Sequence, residues 1–184
     1  QLVCEGSPYQ KEKNALGLGV VSVDIGPSTI AIVSEETATL EHFCAELEPK
    51  QPIIRKLQRK LDRQRRAGNP ANYNSNGTIK PGKKEWHFSK RYVYTREQLA
   101  EVQRKQAAQR KSLHGRLVNR VLGLGDTIKL EKLSYRAFQK RFGKSVGFRG
   151  PGTFVAQLRR KAANAGAEVD EFSTHTTRLS QVCL

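Results

Sequence analysis

The hydrophobic positions of this chain change period several times, and each change marks an element. Val20, Val21, Val23 and Ile25 form a short apolar run, Gly26-Pro27-Ser28 interrupts it, and Ile30, Ile32 and Val33 follow. β-branched runs of this length bounded by turn residues predict strands over 18–24 and 29–34, the first central and the second antiparallel to it. A third strand over 39–45, with Leu40, Phe43 and Cys44 apolar, completes a β-meander. The period then becomes helical: after Pro52, residues Ile53, Ile54, Leu57 and Leu61 share one side. Residues 67–95 are rich in Gly, Asn and Pro and read as a loop. Trp86, Phe88, Tyr92 and Tyr94 make it too aromatic for a passive linker, so it is expected to order on binding. A second helix, antiparallel to the first, is predicted over 96–122 with Leu99, Val102, Gln106, Leu113, Leu117 and Val121 on its seam. A strand over 127–131, a basic and irregular stretch over 135–149 with one helical turn, a helix over 153–165 capped by Gly166, and a strand over 167–172 complete the pattern.

Composition adds a partner to this outline. The chain has 184 residues, enough for one domain with a core, and a net charge of +16. Residues 50–121 hold 20 Lys or Arg against 4 Asp or Glu, while the remainder holds 13 of each, so the entire excess lies in the helical insert. A one-signed run of this size repels itself unless a polyanion compensates it, which points to nucleic acid. Helical spacing returns Arg55, Arg59, Arg63, Arg66, Arg104, Arg110 and Arg116 to one broad face, and these are the expected phosphate contacts. Trp86 and Tyr92 either stack on bases or pack beneath the loop. No apolar run reaches the roughly 18–20 residues needed to cross a bilayer, and no secretory leader precedes the first strand, so no membrane partner is expected. Cys4, Cys44 and Cys183 give no disulfide framework and suit a reducing compartment, by default the cytoplasm, with nucleoid association in a prokaryote. The chain starts at Gln1 and has no Met, which reads as a fragment cut at both ends, residues 1–16 closing a preceding region.

Two carboxylates carry the candidate chemistry. Asp24 follows an apolar run, where an ionised group is costly unless a cation, a hydrogen-bond donor or a metal meets it, and Glu131 closes the fourth predicted strand. Carboxylates on adjacent rigid strands suit Mg²⁺, a hard cation that takes oxygen ligands, and a pair of such ions can bind both the attacking and the leaving oxygen of a phosphodiester. His42, His87, His114 and His175 then need no catalytic role and are expected at the surface or in packing.

Three strands, a helical insert, a strand, a helix and a strand, in that order, resemble an α/β ribonuclease-H-like (RuvC) mixed sheet. In that fold the fourth strand lies parallel beside the first, so Asp24 and Glu131 would converge. More specifically, Val23-Asp-Ile-Gly-Pro-Ser28 and Ile128-Lys-Leu-Glu-Lys-Leu133 resemble the first two RuvC motifs of transposon-encoded TnpB (OrfB) proteins, relatives of the type V CRISPR effectors. The basic helices of 50–122 resemble that family's helical hairpin, inserted between strands three and four. Residues 150–161, Gly-Pro-Gly-Thr-Phe-Val-Ala-Gln-Leu-Arg-Arg-Lys, and Thr176-Thr-Arg-Leu-Ser-Gln-Val-Cys183 resemble its later helix and the start of its zinc ribbon. The resemblance covers nearly the whole chain and makes 17–184 an incomplete nuclease domain, with 176–184 opening a truncated ribbon.

It implies a transposon-encoded, RNA-guided DNA endonuclease with Mg²⁺ held by Asp24 and Glu131, a guide RNA and a DNA target. Cys183 would be the first ligand of a Zn²⁺ that only a complete ribbon holds. The family's third motif supplies a further Asp that would lie beyond residue 184, and neither Asp126 nor Asp170 occupies it. The fragment itself is expected to be inactive. Two rivals stay open: a catalytically dead nucleic-acid-binding remnant of a transposon protein, and, less favoured, an actin-like ATPase. The ATPase superfamily shares the Asp-Ile-Gly-Pro-Ser-Thr turn but usually repeats it in a second lobe, and no second copy occurs here.

Overall fold

In a computed structural model the chain is described over residues 15–173. Among these residues the elements are β1 (Val20–Ile25), β2 (Thr29–Val33), β3 (Ala38–His42), α1 (Gln51–Gly68), α2 (Lys90–Leu124), β4 (Thr127–Glu131), α3 (Tyr135–Arg149), α4 (Pro151–Ala165) and β5 (Glu168–Phe172). They divide into two compact units, 15–47 with 110–173 and 48–109, and helix α2 contributes residues to both.

The first unit is built on one five-stranded mixed sheet in the order β3-β2-β1-β4-β5. The meander pairs antiparallel, whereas β4 lies parallel beside β1 and β5 parallel beside β4. Strict alternation in β1 buries Val21, Val23 and Ile25 and turns Val20, Ser22 and Asp24 outward. Ile30 and Ile32 of β2 and Ile128 and Leu130 of β4 complete the buried face. Against it pack Val118, Val121 and Leu122 of α2 and Phe154, Val155, Leu158 and Ala162 of α4.

Close backbone approaches fix the base of this sheet. A Cβ added to Gly125 would lie 2.3 Å from the Gly19 carbonyl oxygen, so only glycine fits there. Helix α4 ends as its sequence predicts, with Gly166 at φ 79° as its cap, but begins two residues ahead of the expected 153, where Pro151 enters after a left-handed Gly150.

Five expectations are corrected. The first strand begins at Val20 and runs on through Ile25, and the third ends at His42, leaving Phe43 and Cys44 in the turn beyond it. Residues 135–149, expected to be irregular, form helix α3. The Ser134 hydroxyl accepts a hydrogen bond from the Ala137 amide at 3.4 Å, and tertiary hydrogen bonds hold the remainder despite a kink at Phe142. One runs from the Ser145 hydroxyl to the Pro27 carbonyl at 2.6 Å, another from Arg149 Nε to the Phe43 carbonyl at 2.9 Å. Helix α2 starts at Lys90, ahead of the expected residue 96, because the Ser89 hydroxyl accepts from the Tyr92 amide at 3.2 Å. In its C-terminal half the buried seam is His114, Val118, Val121 and Leu122, one position on from the expected Leu113 and Leu117, which are half-buried.

In the second unit, α1 and α2 run antiparallel as expected. Gln106 Nε2 donates to the Glu48 carbonyl at 3.3 Å, and Asn69, just beyond α1, bonds to His87, just before α2. Residues 69–89, expected to order only on binding, are organised by their own hydrogen bonds. Asn69 is 5% exposed; its amide nitrogen donates to the carbonyls of Arg65 and His87, both at 2.9 Å, and its oxygen accepts from the His87 amide at 2.7 Å. Asn72 donates to the Glu85 carbonyl at 2.7 Å, and Tyr73 bridges Ile79.

Candidate active site and nucleic-acid interface

Asp24 and Glu131 come together because β1 and β4 are parallel neighbours. Their last paired residues are Val23 and Leu130, and each carboxylate is the next residue along. Alternation sends both side chains away from the core, to the face that also carries Ser22, Thr127 and Lys129. Asp24 is exposed, which corrects the expectation that it ends a buried run: only one face of β1 is covered, and Asp24 lies on the other. Glu131 is half-buried, and burial first and the Asp24 charge second raise its pKa from the ordinary carboxylate value.

Behind Glu131 stands Tyr135, in the first turn of α3. Burial is the main force raising its phenol to about 12; Arg159 opposes the shift, and Glu171 and Glu131 add to it. Its ring lies against Gly152 of α4, in van der Waals reach of a Cβ built there, at 3.4 Å. Glu171 is held by an ion pair to Arg159 of α4. Two carboxylates on rigid strands, with no cation paired to either among the described residues, form an oxygen-donor set whose mutual repulsion a hard divalent cation would relieve.

The other acids serve elsewhere. Asp126, at the opposite end of β4, accepts from the Gly19 amide at 3.2 Å and from the Thr127 hydroxyl at 3.3 Å. Asp170 pairs across the sheet with Lys129 at 3.4 Å. No group of three or more His, Cys, Asp or Glu side chains gathers as a metal site among the described residues. Cys183, His175 and the ribbon residues 176–184 lie outside the described residues.

The seven arginines expected at phosphates separate into two groups. Arg55, Arg59 and Arg63 are exposed at successive turns of α1 with no side-chain partner among the described residues. Arg66 is bonded to Asp62 at 2.9 Å and lies over the Tyr73 ring at 5.5 Å. Arg104 grips Glu101 with two bonds at 2.7 and 2.8 Å. Arg110 donates to the Gly147 and Phe148 carbonyls near the end of α3, at 3.1 and 3.2 Å, and Arg116 bonds to Glu46 at 2.6 Å.

The aromatics divide similarly. Trp86 meets Tyr73 edge to face, at 6.0 Å and 76°, and carries the Arg65 guanidinium over its ring at 5.6 Å. Phe88 and Tyr92 stack at 4.6 Å and 18°. The sequence contained a signal for that pair, two aromatics that bracket Ser89, the cap of α2, with Phe88 just outside the helix and Tyr92 in its first turn.

Of the remaining histidines, His42 and His87 are exposed, and His114 is buried in packing. No helix among the described residues is long and apolar enough to cross a membrane. No protein-family model and no curated protein matches this chain.

Proposed function

We propose that this chain is the RuvC-like, ribonuclease-H-like nuclease of a TnpB/OrfB-type transposon protein, a Mg²⁺-dependent and RNA-guided DNA endonuclease. The observation that carries this reading is the placement of Asp24 and Glu131 on one face of two parallel neighbours, where burial and the charge of the first raise the pKa of the second. The strand order and the mainly basic second unit, inserted between β3 and β4, support it. So do the motifs around residues 23–28 and 128–133.

In this mechanism Asp24 and Glu131 hold the metal with their carboxylate oxygens, on strands that cannot splay apart because core residues lock them from behind. Bound Mg²⁺ supplies Lewis acidity, lowering the pKa of water and offsetting charge on the leaving oxygen. Tyr135, its phenol held protonated by burial, and the Glu171–Arg159 pair belong to the covered face of the sheet, opposite the two carboxylates. The exposed arginines of α1 bind nucleic-acid phosphates.

The test is Mg²⁺-dependent cleavage of labelled single-stranded DNA by the full-length gene product carrying its copurified RNA. Asp24→Asn and Glu131→Gln should each lower cleavage by about 100-fold or more while leaving nucleic-acid binding intact. Glu131→Gln also has a fold control with a definite sign. A carboxyl whose folded-state pKa is raised contributes stability at acid pH and loses it as pH rises through that value, so at pH 7 its charge is a cost. The variant's thermal midpoint should therefore equal or exceed that of the wild type. Cleavage that survives either substitution defeats the assignment; binding without any wild-type cleavage favours the dead-remnant reading.

A further inference from the structure

We propose that the Phe88–Tyr92 stack is a platform for an unpaired nucleobase, which makes single-stranded DNA or RNA the ligand of the second unit. The inference rests on the reading that this unit binds nucleic acid and adds where, and in what form, it does so.

Trp86, the most obvious stacking residue in the sequence, is already engaged by Tyr73 and Arg65. Phe88 is not enclosed in this way: its ring stacks on Tyr92, and the residue is still 45% exposed. Its neighbours are fixed on both sides. Asn69 clamps the amide and the carbonyl of His87, and Ser89 caps α2 through the Tyr92 amide. The ring is thus held out by an ordered backbone, so binding need not pay to organise it.

Charge surrounds the stack on the chain. Lys83, Lys90 and Arg91 are exposed around it, against the single acid Glu85. Arg55, Arg59 and Arg63 rise along α1 in steps of about 6 Å, and the end of that helix is tied to His87 through Asn69. A phosphate backbone following the arginines therefore arrives beside Phe88. Base faces inside a duplex are closed to side chains, whereas unpaired bases stack on exposed aromatics, so this arrangement selects single strands.

The experiment measures affinity by fluorescence anisotropy, using a short single-stranded oligonucleotide, an abasic strand of equal length and charge, and a duplex. DNA and RNA versions are run in parallel. Wild type should prefer the base-bearing single strand. Phe88→Ala should weaken that probe by about 5- to 150-fold while leaving the abasic probe and the salt dependence unchanged. Phe88→Leu keeps apolar bulk against Tyr92 without an aromatic face and should show the same loss, so a folding defect in the alanine variant does not decide the matter; Phe88→Trp should bind like wild type. Loss in both the DNA and RNA arms identifies the base as what is recognised, and loss in one arm names the strand used. Equal wild-type affinity for base-bearing and abasic strands, or normal binding by Phe88→Leu, overturns the platform while nucleic-acid binding stands. Wild type that binds no probe overturns both.

Discussion

His114 shows how one side chain converts packing into pH dependence. It is 1% exposed, stacked on Phe43 at 5.5 Å and 3°, edge to face with Phe154 at 5.7 Å, and its Nε2 donates to the Arg149 carbonyl at 2.9 Å. Burial lowers its pKa below the ordinary imidazole value, the Arg149 carbonyl opposes this, and the nearby Arg110 charge lowers it further. A depressed folded-state pKa means that the neutral ring belongs to the fold. Its contribution is complete above the ordinary value of about 6.5 and is lost as pH falls through the lower folded value. Thermal unfolding followed from pH 7 downward should show a falling midpoint for the wild type and a flatter profile for His114→Phe, which keeps the ring stack but cannot protonate. Equal slopes would remove His114 from the account. The expectation of a packing role was correct for this residue, but the sequence could not single it out from His42 and His87, which are exposed. A histidine is placed by what packs on it, and Phe43, Arg149 and Phe154 reach it only through tertiary folding.

Among the elements, strands and apolar helices were legible and capped or clamped segments were not. Alternation located β1, β2 and β4 to within two residues, because their buried faces have a period the chain displays directly. Helix α3 was missed, since Gly143, Gly147 and its many cations argue locally against a helix, and its stability comes from the Ser134 cap and hydrogen bonds to the distant Pro27 and Phe43. Segment 69–89 was missed for a related reason. Its Asn-rich composition signals a loop, yet the side chain of Asn69 makes three hydrogen bonds that a loop assignment does not anticipate. Asn69→Ala removes these partners from the partly buried backbone groups of Arg65 and His87 and should destabilise the second unit by about 1 kcal/mol. Amide exchange should show faster exchange at residues 85–88 in the variant than in the wild type; unchanged protection there would mean that the clamp contributes nothing.

Across the whole molecule, charge and chemistry are segregated: the carboxylate pair belongs to the first unit and the exposed arginine stripe to the second. Such a division predicts separable losses. Replacing Arg55, Arg59 and Arg63 together by Ala should reduce the slope of log affinity against log salt by roughly 2 for a single strand, at about 0.7 per phosphate contact. The same change at Arg104, Arg110 and Arg116, which already have partners, should alter the slope much less. Equal reductions from the two sets would refute the distinction. By itself the sequence determined the succession of elements, the location of the basic excess and the two acidic strand ends, because periodicity and charge are local properties of a chain. Tertiary structure alone decided that Asp24 and Glu131 share a face, that Trp86 is engaged while Phe88 stays exposed, and which arginines remain unpaired. Those outcomes depend on parallel strand pairing and on contacts between residues far apart in the chain, which no local pattern encodes.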